Sequence, residues 1–566
     1  MAREPGEGGR LVFELVDDAA GAAAPGTRSG PGDLPLPDDD AGGDGAGPGD
    51  DDAGGPWPGY GSSNGRLRVL VPVAAVLAVV LGTGLAVDGA RDGARIERMR
   101  DVSGGVADVS GPLAETWRWE GLVGSRTAID EGRGNEVAVL GDVLVFESDG
   151  ELVALRPATG EEAWTLPLGE DPDCGPFGAA GWARTTTPSL VCLDGSGADR
   201  AATTVGPDGV VSARRALPAA DTDRFGLPRP GPDGTVLRAR RAGPGSAVDL
   251  GDARCTDTGE CSGTVVDGQG LVLRAEDAVT GAERWSTVVP FRPTRADQCN
   301  NWLGSSWDGG GNTVDLAQMI DPRVFGARIG ADLVQLYGCG IETAVTPDGV
   351  PLGAEIEPGT GGVSSLVSGG YTEFTFEGMV RTVLYDGDGA VVGEIEGHAM
   401  EPGVTDGAGP GVLLAMDPAG SRLRAYETDG TPRWDATTGA GGQLFLAQVA
   451  GTMLVMTGAG DVRGLDAATG ETRWVWDGAD DADGRYLEDL FVSRTFTDGE
   501  SVLLLTESGS GGAGLVALDA ASGEVVWEQH GDAAVTGGIY QGFDRSLVAV
   551  DGHLLEVTPS GVRGLG

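Results

Sequence analysis

The sequence has no lysine, three histidines and few aromatic residues, only 5% of its 566 positions. Every basic residue is therefore an arginine, and 39 of them stand against 86 acidic residues for a net charge of −47. Binding a DNA or RNA backbone needs a basic face, so nucleic acid is excluded as a partner. The histidines, His398, His530 and His553, are far apart and lack metal-type spacing with cysteine. No two cysteines are adjacent and no Cys-x-x-Cys occurs, which removes the usual zinc and dithiol signatures. HExxH is missing too, and with it the helix-borne zinc protease motif.

What is abundant is glycine, with 100 residues, which suits many short strands joined by tight turns better than long helices. Residues 1–65 are rich in Gly, Ala, Pro and Asp, and cannot bury enough apolar surface to offset ordering entropy. They are expected to form a disordered acidic tail on the cytoplasmic side. One island breaks the pattern: in "RLVFELVDD", Leu11, Phe13 and Leu15 alternate as in a strand that adds to a partner's sheet edge. An incidental apolar patch is the competing reading.

Val69 to Val87 carries no charge, and its nineteen residues would span roughly 28 Å as a helix, close to the hydrocarbon thickness. A transmembrane helix is expected over 66–88, followed by a charged, partly helical stalk over 89–112. Two signals disagree about orientation. Arg66 and Arg68 precede the run, but Arg91, Arg95, Arg98 and Arg100 follow it, so a positive-inside count puts the long C-terminal part in the cytoplasm. Against that, all six cysteines lie after the run and their even number suits disulfides in an oxidising compartment. The cysteines are given the greater weight, and residues 113–566 are expected outside the cytoplasm.

From residue 113 one phrase recurs. "LVALRPATGEEAW" ends at Trp164, "VLRAEDAVTGAERW" at Trp285, "LRAYETDGTPRW" at Trp434, "GLDAATGETRW" at Trp474 and "LVALDAASGEVVW" at Trp527. Each is an alternating strand, a tight turn and a second strand that ends in tryptophan. Gly160, Gly281, Gly470 and Gly523 can take the positive φ that closes such a turn. Asp466 and Asp519 can bond the backbone within it. The ring at the end fills a gap between neighbouring sheets, an upper bound of about 4–6 kcal/mol per tryptophan. Weaker hairpins without the tryptophan occupy 203–214, 343–356, 382–395 and 554–565. Repeats of this length with about four strands each are the signature of propeller blades. Trp117, in "TWRWEG", has the tryptophan strand without a hairpin before it, as if completing a blade begun by the C-terminus. The hairpins number nine, but 203–214 and 554–565 are the weakest, so eight four-stranded blades are expected, with seven as the alternative.

The phrase "LDAATGETRW" and its siblings resemble the repeat of the pyrroloquinoline-quinone (PQQ)-type β-propellers, over about residues 113–566. An all-β fold is what the resemblance implies. That superfamily includes quinoprotein dehydrogenases, a lipoprotein of outer-membrane barrel assembly and many membrane-anchored propellers. Its enzymes cover the quinone with a disulfide between adjacent cysteines and hold calcium through Glu, Asn and Asp. This sequence has no such cysteine pair, and no run aligns with the calcium ligands. No catalytic, cofactor-binding or metal-binding residue is therefore carried over, and no cofactor is expected. The lysine-free, Ala/Gly-rich wording is that of a high-GC, actinobacterial type of genome.

Other motifs read as scaffolding. "GSGGAG" at 509–514 matches GxGxxG but stands between strands, without a helix N-terminus for a pyrophosphate. The acidic run 477–488 fails EF-hand spacing, since Leu490 stands where the bidentate Glu belongs. His530 reads as a loop residue. Proximity pairs the cysteines as Cys174–Cys192, Cys255–Cys261 and Cys299–Cys339, although fifteen pairings are open in principle. Trp182, Trp302 and Trp307 fall outside the repeat phase, in long insertions where binding residues concentrate or where rings pack beneath their own loops. The expectation is a single-pass envelope protein whose propeller is a protein-interaction scaffold or sensor, not an enzyme. Its partner would be another cell-envelope protein, with a cytoplasmic one for residues 10–18. The alternative is a quinoprotein oxidoreductase or a ligand sensor that uses the central channel.

Overall fold

The computed structural model describes residues 91–124, 136–169, 172–179, 186–195, 200–242, 251–255, 261–299, 325–353, 356, 360–375, 380–409, 411–417, 422–437, 444–458, 460–478, 491–507, 513–530 and 546–566. Seven four-stranded sheets, one of five strands and one of six make nine blades, so the chain is an all-β propeller. In each blade the strands follow one another antiparallel from the inner edge outward, as in blade 7: Leu444–Val449, Thr452–Met456, Val462–Asp466 and Thr472–Trp476. Turns therefore alternate between the two faces. The first and third turns of a blade lie on one face, and the second lies on the other.

The blade count corrects the expectation of eight. Both discounted hairpins are blade strands: Ala201–Val205 with Val211–Ala216, and His553–Thr558 with Gly561–Leu565. The second lacks a tryptophan of its own because its outer strand comes from the other end of the chain. Glu115–Glu120 pairs antiparallel with Gly561–Leu565, and Trp117 stands opposite Gly564 just as Trp474 stands opposite Gly464. The expected closure of the ring by "TWRWEG" is what the register shows.

One contact is repeated around the ring. Trp117, Trp164, Trp285, Trp434 and Trp474 each lie on the outer strand of one blade and reach the outer turn of the next. Their indole N–H groups donate to Pro157 O (2.9 Å), Pro207 O (2.8 Å), Pro347 O (2.7 Å), Ala467 O (3.1 Å) and Ala520 O (3.2 Å). Each ring lies flat on a turn glycine. A Cβ at Gly160 would fall 2.2 Å from the Trp117 ring, at Gly470 2.5 Å from Trp434, and at Gly523 2.4 Å from Trp474. Those glycines also have φ of 70°, 74° and 74°, so the positions exclude a side chain twice over. The turn is tied from within: Asp466 accepts from the backbone N–H of Ala468 and Thr469, and Asp519 from those of Ala521 and Ser522. Arg473, then the Ala468 and Thr469 N–H groups, hold the Asp466 carboxyl below its usual range.

Where tryptophan is missing, something else bridges the seam. On blade 2 the tryptophan register holds Ala213, and Arg215 reaches across to Ala278 O (2.9 Å) over Gly281. Arg215 also meets Glu276 (3.1 Å), whose other oxygen takes the fully buried Arg238 (2.8 Å). On blade 5 the register holds Gly393, and a Cβ there would fall 2.2 Å from Asp429 O, so two backbones touch directly.

Cys174–Cys192 and Cys299–Cys339 are disulfides, as proximity suggested. Cys255 stands opposite Cys261 in a two-stranded sheet, and Cys261 is disulfide-bonded. Helix α1 covers 91–101 and α2 covers Ala219–Phe225. Among the described residues no helix is long and apolar enough to cross a membrane, and Val69–Val87 lies outside them.

Replacing Trp474 by Ala should cost about 3 kcal/mol, and Trp527, which is buried to 7% exposure, nearer 5 kcal/mol. Urea unfolding of each variant measures both. Glu276→Ala leaves Arg238 buried and uncompensated, and a loss of about 3–5 kcal/mol is expected in the same assay.

Candidate functional site on the axial face

The sixth blade tryptophan departs from the rule in an informative way. Trp527, on the outer strand of blade 8, does not lock onto the outer turn of blade 9. Its indole N–H donates to Val109 O (2.7 Å), on the strand-like segment 104–113 that precedes the propeller. Val106, Val109 and Leu113 share an apolar cluster with Phe496, Leu503, Trp527, Leu547 and Leu554, from blades 8 and 9. Backbone bonds fasten this strap to both blades: Val106 N to Thr497 O (2.8 Å) and Ala107 N to Gly552 O (2.7 Å).

Helix α1 holds the strap from above. Met99 is wholly buried. Arg95 donates to Asp498 O (2.6 Å), Arg98 to Asp406 O (3.0 Å), and Arg100 lies 3.9 Å from the Asp551 carboxylate. Asp498 and Asp551 belong to the Asp-Gly turns after the inner strands of blades 8 and 9, and the helix rests on Gly499 and Gly552. The Asp498 carboxylate, nearly buried, accepts from the N–H groups of Val109, Glu500 and Ser501. Residues read from the sequence as a stalk are thus, where described, seated on the ring. The missed signal was the spacing of Arg95, Arg98 and Arg100 together with the two Asp-Gly pairs at inner-strand ends.

Under the strap a cavity of about 160 Å³ opens on the inner strands of blades 7, 8 and 9. Ser103, Gly104, Phe445, Val492, Arg494 and Leu547 are among the residues that line it. Its lining is mixed, apolar side chains alternating with hydroxyls and one guanidinium.

Blades 1 and 2 differ. Glu136 on the inner strand of blade 1, Glu147 on the next strand and Asp173 on the inner strand of blade 2 form an acidic group. Arg229 (2.9 Å) and Arg200 (3.9 Å) pair with Asp173. Burial, then Asp173 and Glu136, push the Glu147 carboxyl up to about 7. This half of the axis gathers acidic charge, whereas the lining under the strap is mixed. Among the described residues no group of three His, Cys, Asp or Glu is placed to hold a metal ion.

The remaining expectations distribute as follows. His398 packs edge-on against Phe374 (4.7 Å) in blade 6, and its pKa is lowered by burial. His553 lies on blade 9, also lowered chiefly by burial. His530 ends the strand Val525–His530 and is not in a loop. Leu11, Phe13, Leu15, Trp182, Trp302 and Trp307 lie outside the described residues, as do 509–512 of the glycine motif and 479–488 of the acidic run.

The nine sheets and the repeated lock define a β-propeller. Residues 379–538 match the family model described as outer membrane protein assembly factor BamB. Among solved structures, BamB from Moraxella catarrhalis is 13% identical, with a TM-score of 0.33, over 80% of this chain and 99% of that one. A quinohemoprotein alcohol dehydrogenase from Pseudomonas putida HK5 is 12% identical, with a TM-score of 0.33, over 82% and 77%. A europium-containing methanol dehydrogenase is 12% identical, with a TM-score of 0.31, over 80% and 85%. No curated protein matches.

Folded Glu147 keeps its proton to about 7, whereas its ordinary value is 4.5. Between those values the fold binds a proton that the unfolded chain has released, so stability falls as pH rises through the window. Glu147→Gln should therefore leave Tm nearly unchanged near pH 4.5, raise it increasingly up to about pH 7 and hold that gain to pH 8, as read by thermal unfolding across that range.

Proposed function

We propose that this chain is a single-pass membrane protein whose propeller stands outside the cytoplasm and serves as a protein-interaction scaffold in the cell envelope. The observation that carries the scaffold reading is the match of 379–538 to an assembly-factor family, joined to a motif that is consumed by structure. The aspartates, glycines and tryptophans that recur are engaged in turns and inter-blade locks. Specificity is left to the segments that vary between blades.

The placement outside the cytoplasm is supported by the disulfides, and the arginines do not argue against it. Arg95, Arg98 and Arg100 had tilted the topology count inward, yet each meets a partner on the propeller. Guanidiniums held by the folded domain have a structural reason to follow the apolar run, whichever side they occupy. The acidic group at Glu136, Glu147 and Asp173 is the one feature that favours the second reading, a ligand sensor that uses the channel.

Crosslinking and capture from native membranes tests the scaffold reading. A defined envelope protein should be recovered with the full chain, and its recovery should persist when residues 10–18 are deleted if the propeller carries the contact. A stoichiometric chromophore bound after addition of quinone and calcium would instead establish the enzyme.

A further inference from the structure

We propose that the propeller face bearing α1, the face of the first and third blade turns, lies against the bilayer, with the sector of blades 7 to 9 nearest the point of entry. This rests on the reading of Val69–Val87 as a membrane span.

The argument is one of tether length. The apolar run ends at Val87, and α1 is already helical at residue 91. Four residue steps reach at most about 14 Å even when fully extended. From 91 onward there is no slack. Met99 is buried, three arginines hold three aspartate-bearing loops, and the strap bonds to Thr497 and Gly552. The chain is therefore fixed to one face within a short tether of the hydrocarbon. The opposite face lies a strand length away, about 20 Å for six residues, and a path to it would have to pass around the rim.

Charge agrees with this placement. An acidic surface is repelled by anionic headgroups. On this face Arg95 lies against Asp498 and Glu500, and Arg100 against Asp551, so the helix offsets part of the acidic charge of the turns where lipid would be closest. Consequently the second turns of the blades, on the far face, point away from the membrane and are open to a large partner.

Fluorescent labels on single introduced cysteines test the orientation, because among the described residues no native cysteine is free. Ala468→Cys and Asp142→Cys occupy exposed turns on the α1 face, in blades 7 and 1, and Ser560→Cys an exposed turn on the far face, in blade 9. The full chain is placed in nanodiscs that carry a quencher on the lipid headgroups. Strong quenching at 468 is expected, with 142 quenched less, and with emission retained at 560, about 20 Å farther off. Quenching at 560 equal to or above that at 468 and 142 would overturn the orientation while leaving the span intact. Release of the unlabelled chain from membranes by carbonate would overturn the span and the orientation together.

Discussion

The architecture depends on a flat ring lying on a bare turn. An indole on one blade covers the glycine of the next blade's outer turn and bonds the carbonyl beside it, at five seams of the same design. The contact is apolar over the ring face and polar at one atom, so it fixes both spacing and angle between sheets. Each blade is a separate hydrogen-bonded sheet, so the ring needs such a clasp between blades. The seams that lack it show how much latitude the geometry allows. Arg215 reaches the same place with a charged arm, and Gly393 lets two backbones close the gap with no side chain at all.

The clasp also explains which parts of the fold were legible in the sequence. Turn, glycine and tryptophan are local and recurrent, so nine hairpins could be read, and nine blades exist. Discounting two of them treated tryptophan as necessary. At blade 9 the tryptophan was present but displaced to Trp117, and at blade 2 an arginine did its work. Register between residues so far apart leaves no local mark, except that "TWRWEG" had the form of an orphan strand. The cysteine pairs were legible for the opposite reason, since both described bridges close short separations of 18 and 40 residues.

The axial face was much less legible. Arg95, Arg98 and Arg100 were visible as charges beside an apolar run, and a positive charge there carries a topological meaning that competes with a structural one. Only the docking of α1 distinguishes the two. The raised carboxyl of Glu147 could not be read at all, because it arises from Asp173 on another blade and from burial that folding creates. Periodicity reports which side of a strand is apolar. It does not report which charges meet across a seam.

Blade 9 is made from both ends of the propeller sequence, with Glu120 beside Gly561. During synthesis at about 5–20 residues per second, the first strand waits on the order of 20–90 s for the last. Until then it has a free edge, and so does the seam that Trp527 will close. Completion is thus a single late event, and a chain stalled or cut before residue 561 has at most eight complete blades and no closed ring. The strand order makes closure of the ring depend on synthesis through residue 561.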